Sequence, residues 1–230
     1  MALLALFDLD NTLIDRDGGF RLWAERFLAA RGPSDEESEH ELAWLVEIDG
    51  EGLTPRAEFF AAVKARYDLR EDAQTLYRAY SDALGTLYEP DPAVVQALAA
   101  LRAAGFKTAV ITNGPATQEV KIKAAGLHTV LDAWCISAVE GVAKPERAIF
   151  EAAAARCGEP LEGWMVGDNP DTDIRGAMGA GLRTVWISRG RRWSTSGFGP
   201  DAVAHDVAGA VSVILAGSEG DRPPLDQVRD

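Results

Sequence analysis

An apolar run that ends in two acidic residues is the feature that most constrains what this chain can fold into. Residues 3–7 are all apolar, and Asp8 and Asp10 follow directly. Such a run is typical of a strand buried on both faces of a parallel sheet. In open sheets of this class, ligands bind at the carboxyl ends of the strands. The sequence therefore predicts that Asp8 and Asp10 lie at the ligand-binding edge of a sheet.

The spacing of the two carboxylates indicates what they could bind. Asp8 and Asp10 are separated by the strand period of two, so both side chains can face one site. Two negative charges this close repel each other unless a cation lies between them, which favours a divalent metal. A simple Asp–Asn turn after the strand, at Asp10 and Asn11, is the alternative. This segment by itself leaves both interpretations open.

The periodicity of the remaining chain predicts two structural regions. Residues 15–88 contain one amphipathic helix pattern after another, and we interpret them as an inserted, all-helical cap domain. Short apolar runs alternate with helices in the later chain, which predicts right-handed crossovers and a parallel sheet. We therefore expect an α/β fold, with a Rossmann-like core formed by residues 1–14 and 89–216 and covered by helices on both faces. Residues 217–230 are predicted to be a disordered tail.

Several local signals refine this prediction. Val46 is expected on the buried face of the second helix, and Thr54 is expected to cap the third. A further helix is predicted from Pro115 onward, and Val130 and Leu131 are interpreted as a short extended segment. A loop rich in glycine, serine and arginine is predicted at 188–200, with a final helix after it.

Charge and composition exclude several classes of protein. The formal net charge of −13 argues against binding to nucleic acid polymers or anionic membranes. An anionic substrate would have to be bound by a local group of cations. The first residues do not form a signal peptide, and no apolar stretch reaches the roughly 18 residues of a membrane span, so we expect a cytoplasmic protein. Cys135 and Cys157 are interpreted as buried free thiols.

Polar residues follow other predicted strands in the same way as Asp8 and Asp10. Thr112 and Asn113 end the strand at 108–111, and Gly167 and Asp168 end the strand at 164–166. The carboxyl ends of parallel strands meet at one edge of the sheet, so these residues are predicted to converge. This convergence favours an active site over a set of unrelated turns.

Four segments together resemble the motifs of the haloacid dehalogenase (HAD) superfamily of hydrolases. They are DLDNTL at 8–13, Thr112–Asn113, Lys144–Pro145 and GDNPDTD at 167–173. Their order is that of the superfamily. The helical insertion between the first and second motifs is similar to the cap of subfamily I.

The resemblance implies a role for each matching residue. It implies that Asp8 is a nucleophile and a metal ligand, and that Asp10 is the general acid/base whose main-chain carbonyl also binds the metal. Thr112 and Asn113 would bind the phosphoryl group. Lys144 would bind the phosphoryl group and offset the negative charge around it.

The last motif would complete the metal site. Asp168 would be the second carboxylate ligand, and Asp173 would lie next to the metal or orient Lys144. The ligands are hard oxygen atoms, which suits Mg2+. His40, His128 and His205 are scattered and do not suggest a zinc site.

The activity implied by this resemblance is Mg2+-dependent hydrolysis of a small phosphomonoester through an aspartyl-phosphate on Asp8. A phosphomutase or phosphotransferase using the same intermediate is the alternative. A 2-haloacid dehalogenase is less favoured because dehalogenases lack the second aspartate, and a non-catalytic binding protein has no need of it. The expected partner is a small phosphorylated metabolite, and the chain is expected to be a monomer or a homodimer.

Residues that could select the substrate are less well defined by the sequence. Two groups are candidates: cap residues shortly after the nucleophile, and residues of the loop at 188–200. They are Arg16, Phe20, Arg21 and Trp23 in the cap, and Arg189, Arg191, Arg192 and Trp193 in the loop.

Overall fold

The computed structural model describes residues 4–32 and 34–220, and its centre is a six-stranded parallel sheet. The strand order is β3-β2-β1-β4-β5-β6. The strands are β1 Leu4–Phe7, β2 Lys107–Thr112, β3 Ala133–Ile136, β4 Gly163–Gly167, β5 Arg183–Ile187 and β6 Ala202–Ala204. The predicted α/β fold with a parallel sheet is confirmed.

Strand β1 lies in the middle of the sheet because every one of its residues is apolar. All four are fully buried, and β1 pairs with β2 on one side and β4 on the other. Strands β2 and β3 lie on one side of β1, and strands β4, β5 and β6 lie on the other. The carboxyl end of β1 is therefore the point where the strand order reverses, which is where open α/β sheets bind ligands.

The chain divides into two compact units. One contains the residues up to Ile14 together with those from Pro90 onward, and the other is Asp15–Glu89. The second unit is helical. Its helices are α1 Arg16–Ala29, α2 Asp35–Asp49, α3 Arg56–Arg66 and α4 Ala73–Ala83.

Aromatic side chains form the core of the helical unit. Phe20 and Trp23 of α1 meet Phe59 and Phe60 of α3, and Trp23 also contacts Tyr80 of α4 edge-on with 5.1 Å between ring centroids. Such edge-to-face pairs stabilise a core beyond the apolar area that they bury. The helical periodicity of the sequence is thus satisfied inside this unit.

A buried ionic cluster also holds the helical unit together. The guanidinium of Arg16 donates to both carboxylate oxygens of Asp49, and Arg56 approaches the same carboxylate at 2.9 Å. The main-chain N–H of Gly52 donates to Asp49 as well. Because Asp49 is only 1% exposed, its charge depends on these partners for compensation.

Six helices accompany the sheet among the described residues of the first unit. They are α5 Pro92–Ala103, α6 Gln118–Ala124, α7 Ser137–Glu140, α8 Arg147–Cys157, α9 Gly176–Ala180 and α10 Val207–Gly220, and a π-helical turn at Pro170–Arg175 precedes α9. Helices α8 and α9 pack with β1, β2 and β4 in one apolar cluster. Cys135 and Cys157 lie in this cluster as free thiols, as predicted, and burial raises the pKa of each to about 11.

Several local predictions are wrong, each for a tertiary or geometric reason. Helix α3 begins after Pro55, and its first turn has no side-chain cap from Thr54. Val46 is 37% exposed because Leu45 provides the buried contact of α2 instead. Val130 and Leu131 follow a short 3-10 turn and belong to no strand.

The later chain also differs from prediction. Helix α6 begins at Gln118, three residues after Pro115, and the edge strand β6 went unpredicted because it is only three residues long. Helix α10 continues to Gly220, so residues 217–220 are helical rather than disordered. The rest of the predicted tail lies outside the described residues. Within residues 4–32 and 34–220, no helix combines the length and apolarity needed to cross a membrane.

The cluster at Asp49 leads to a stability prediction. Replacing Asp49 with alanine leaves two guanidinium groups without their shared carboxylate, so the free energy of unfolding of the helical unit should fall by about 3–5 kcal/mol. Amide hydrogen exchange resolves the two units and provides the measurement. Asp82→Ala makes the same chemical change at an exposed position of α4 and should shift stability by less than about 0.5 kcal/mol. Equal effects of the two substitutions would contradict the role of the cluster.

Candidate active site

The carboxyl ends of three neighbouring strands bring the predicted motif residues together. Asp8 follows β1 directly, Thr112 ends β2, and Asp168 follows β4. The main-chain N–H of Asp8 donates to Val166 of β4 at 2.9 Å, so the strand pairing extends to the first aspartate. Asn11 then takes a left-handed conformation with φ of 62°, and the chain turns away from the sheet. The Asp–Asn turn of the alternative interpretation is therefore present, alongside the convergence of carboxylates.

Lys144 links two of the carboxylates. Its ammonium group lies 2.5 Å from Oδ1 of Asp8 and 2.8 Å from Oδ1 of Asp173. All three side chains are almost completely buried, so each charge relies on the others for compensation. The structure thus places Asp173 where it orients Lys144 against Asp8.

The glycine of the fourth motif is required by this close packing. A Cβ atom at Gly167 would lie 2.3 Å from Oδ2 of Asp173. The same oxygen accepts a hydrogen bond from the main-chain N–H of Asn169 at 3.0 Å. Asn169 caps the helical turn through its own side chain, and Asp171 is an exposed acid in the first turn.

The side chain of Asn113 is bound to the main chain of Lys144. Its amide nitrogen donates to the main-chain carbonyl of Lys144, and its amide oxygen accepts from the main-chain N–H of Lys144, both at 2.9 Å. Both ends of the amide are therefore engaged by the backbone of Lys144.

Asp168 is held from the side of β5. Arg191 donates to its Oδ2 at 3.0 Å, and the indole N–H of Trp186 donates to its main-chain carbonyl at 2.8 Å. Arg191 also lies over the Trp186 ring, 5.5 Å from the centroid. The arginine-rich loop therefore reaches a predicted metal ligand directly.

Asp10 is bound by two residues of α6. Gln118 donates to Oδ2 at 2.7 Å, and Lys121 approaches the two carboxylate oxygens at 2.8 and 3.0 Å. Gln118 also donates to the hydroxyl of Thr112 at 2.7 Å. Asp10 and Thr112 are thus joined through one amide group.

The electrostatics of the site favour a bound cation. Oxygen atoms of Asp8, Asp168 and Asp173 lie within 4.8 Å of one another. Burial raises the pKa of Asp8 above its ordinary value, against the attraction of Lys144, and Asp173 adds to the rise. Burial and then repulsion from Asp173 raise the pKa of Asp168 to about 6, although Arg191 opposes the shift. Asp8 and Asp168 therefore resist ionisation, and a divalent cation bound between them would stabilise their charged forms.

The donor set fits magnesium. Carboxylate oxygens are the ligands that Mg2+ prefers, and the described residues form no cluster of histidine or cysteine at this site. Asp8 and Asp168 are the side chains that would hold the ion, together with the main-chain carbonyl of Asp10 that the family resemblance implies. Asp173 lies within the same group, and both Asp8 and Asp173 also pair with Lys144.

The remaining predicted candidates have other partners within their own unit or are exposed. Within the helical unit, Arg16 binds Asp49, Phe20 and Trp23 belong to the aromatic core, and Arg21 is exposed. Trp193 packs on Trp186 and Phe198, which makes it part of the loop's own core. Arg189 and Arg192 are exposed, and His128 and His205 are exposed as well.

Sequence reasoning missed Gln118 and Lys121 as site residues. A signal was present: the two residues are three apart, so they share a face of α6, and Lys121 adjoins the buried Ile122. A lysine on an apolar helix face requires a partner. Which carboxylate it meets follows only from the position of α6 in the folded chain.

Comparison with known proteins shows the family of this chain. The family model for haloacid dehalogenase-like hydrolases matches residues 3–181. A glyceraldehyde 3-phosphate phosphatase from Methanopyrus kandleri is 34% identical over 200 residues, covering 83% of this chain and 86% of that protein. The pyrimidine 5'-nucleotidase YjjG of Escherichia coli is 37% identical over 128 residues, covering 54% of this chain. That match spans only 56% of the nucleotidase, so it reaches about half of its length.

A solved structure shows the same fold. The putative HAD-hydrolase YfnB from Bacillus subtilis, a structure bound to magnesium, superposes with a TM-score of 0.72 at 21% sequence identity. The superposition covers 93% of this chain and 98% of that chain.

The carboxylate group predicts metal-dependent stabilisation. Mg2+ at a hundredfold excess over its Kd should raise the free energy of unfolding by about 2.7 kcal/mol, because only the folded chain brings the ligands together. The shift should disappear in Asp168→Asn, which removes one anionic ligand. Thermal unfolding with and without Mg2+ measures it.

Asp171→Asn is the matched control, since Asp171 is in the same motif but pairs with the exposed Arg175. It should keep the full magnesium shift. A shift retained in Asp168→Asn would show that the ion binds elsewhere.

Proposed function

Because the chain belongs to the haloacid dehalogenase-like hydrolases, we propose that it is a Mg2+-dependent phosphatase of small phosphomonoesters. The observation that carries the proposal is the group formed by Asp8, Lys144, Asp168 and Asp173. It combines a buried nucleophile candidate with a cation and with carboxylates suited to a metal. Thr112 lies at the end of the adjacent strand with its hydroxyl in the same region.

In the first step, a carboxylate oxygen of Asp8 attacks phosphorus. A new bond forms between Asp8 and phosphorus while the bond from phosphorus to the ester oxygen breaks. Asp10 donates a proton to the departing oxygen, so the product leaves as an alcohol. Lys144 donates to Oδ1 of Asp8 and holds the carboxylate in a fixed orientation.

In the second step, water attacks the phosphorus of the aspartyl-phosphate. Asp10, now ionised, takes a proton from that water, and the bond between Asp8 and phosphorus breaks to release inorganic phosphate. A bound Mg2+ would supply positive charge to the phosphoryl oxygens in both steps. The ammonium of Lys144 supplies charge of the same sign from the protein itself.

The substrate class is supported by the relatives and by the charge of the chain. The similar proteins are named as phosphatases of glyceraldehyde 3-phosphate, phosphoserine and N-acylneuraminate 9-phosphate, and as a pyrimidine nucleotidase. All of these names denote small phosphorylated metabolites. With a net charge of −13, this chain would attract an anion only at local cations such as Lys144.

The test is a phosphate-release assay against p-nitrophenyl phosphate and a panel containing those four metabolite classes, with Mg2+ and with a chelator. We expect Mg2+-dependent release that falls to the uncatalysed level in Asp8→Asn, since the amide cannot form the covalent intermediate. Asp171→Asn, at an exposed acid of the same motif, should retain wild-type turnover.

Two results would contradict the proposal. Unchanged turnover in Asp8→Asn would rule out the covalent step on this residue. Absence of phosphate release from every ester, with halide released from 2-chloropropionate, would indicate dehalogenation instead.

A further inference from the structure

Helix α6 contributes two buried polar side chains to a carboxylate that the proposed mechanism uses. Gln118 is 3% exposed and Lys121 is 6% exposed, and both reach Asp10. We propose that Gln118 and Lys121 are positioning residues that hold the general acid/base Asp10 in its working orientation. The proposal rests on the phosphatase function proposed above and extends it to residues outside the four motifs.

Two side chains, those of Gln118 and Lys121, constrain the orientation of the Asp10 carboxylate. Oδ2 accepts from Gln118 at 2.7 Å and from Lys121 at 3.0 Å, and two donors engage both of its lone pairs. Lys121 also lies 2.8 Å from Oδ1, so the ammonium spans the carboxylate. Both oxygens of the Asp10 carboxylate are therefore held by side chains of α6.

Gln118 is itself fixed in place. Its Nε2 carries two hydrogens, and they are donated to Asp10 and to the hydroxyl of Thr112, each at 2.7 Å. Thr112 is 1% exposed and ends β2, so the amide is anchored to the sheet. A Cβ atom at Gly114 would lie 2.9 Å from Cγ of Gln118, which shows how closely the backbone passes this side chain.

Burial explains why these contacts matter energetically. A lysine that is 6% exposed has lost most of its hydration and needs a carboxylate partner. Lys123, two residues later on the same helix, differs in both respects. Its side chain is 58% exposed and pairs with Glu119 on the helix surface.

A leaving-group comparison separates positioning of the acid from general damage. p-Nitrophenolate leaves without a proton, whereas an alkoxide requires one, so loss of Asp10 function should affect an alkyl ester more. The value of kcat/KM reports only the steps up to departure of the leaving group. Its ratio between an alkyl phosphate and p-nitrophenyl phosphate therefore isolates the protonation step.

We expect Lys121→Met and Gln118→Met to lower kcat/KM for the alkyl phosphate about 10- to 100-fold more than for p-nitrophenyl phosphate, the scale of a misplaced catalytic group. Lys121→Arg keeps a donor for the carboxylate, so its ratio of kcat/KM between the alkyl phosphate and p-nitrophenyl phosphate should lie closer to the wild-type value than that of Lys121→Met. Lys123→Met on the same helix should leave both esters at wild-type rates. Thermal stabilisation by Mg2+ should persist in all of these variants and shows that they are folded.

The outcomes distinguish the two proposals. Equal losses on both esters, in variants that keep the magnesium response, would overturn the positioning role while the phosphatase function stands. A wild-type protein that hydrolyses neither ester would overturn both. If Asp10→Asn shows no difference between the two esters, the acid role of Asp10 is wrong and the positioning role fails with it.

Discussion

The sharing of Lys144 between Asp8 and Asp173 is the interaction on which the rest of the site depends. Three buried charges meet in one place, at 2.5 and 2.8 Å, and none of them could be retained there alone. Two reciprocal hydrogen bonds between the side-chain amide of Asn113 and the main chain of Lys144 also hold the lysine in position. Removing any one of these partners would leave a buried charge or amide without compensation.

The sheet makes this concentration of charge possible. Parallel strands bring their carboxyl ends to one edge, and β1 ends at the centre of that edge because its residues are all apolar. The surroundings then supply cations at three separate points. Lys144 meets Asp8, Lys121 meets Asp10, and Arg191 meets Asp168. Asp8 shares its cation with Asp173, whereas Asp10 and Asp168 each pair with a separate cation.

Much of the fold was predictable because its signals are local. The apolar run before Asp8, the alternation of strands and helices after residue 90, and the helical periods before it required no knowledge of packing. The start of α6 and the strand β6 were mispredicted because a three-residue edge strand and a delayed helix start carry almost no periodic signal. Thr54 looked like a helix cap by residue type, but its side chain makes no capping hydrogen bond to α3.

For the site, local sequence patterns were enough to predict which carboxylates end the strands and in what order they follow along the chain. Strand periodicity is enough to place Asp8, Thr112 and Asp168 at one edge. The pairing of each cation with its carboxylate became evident only in the folded chain, since Lys121 and Arg191 lie 111 and 23 residues from their partners. Contacts between residues so far apart depend on how helices and loops pack over the sheet, and no local pattern encodes that packing.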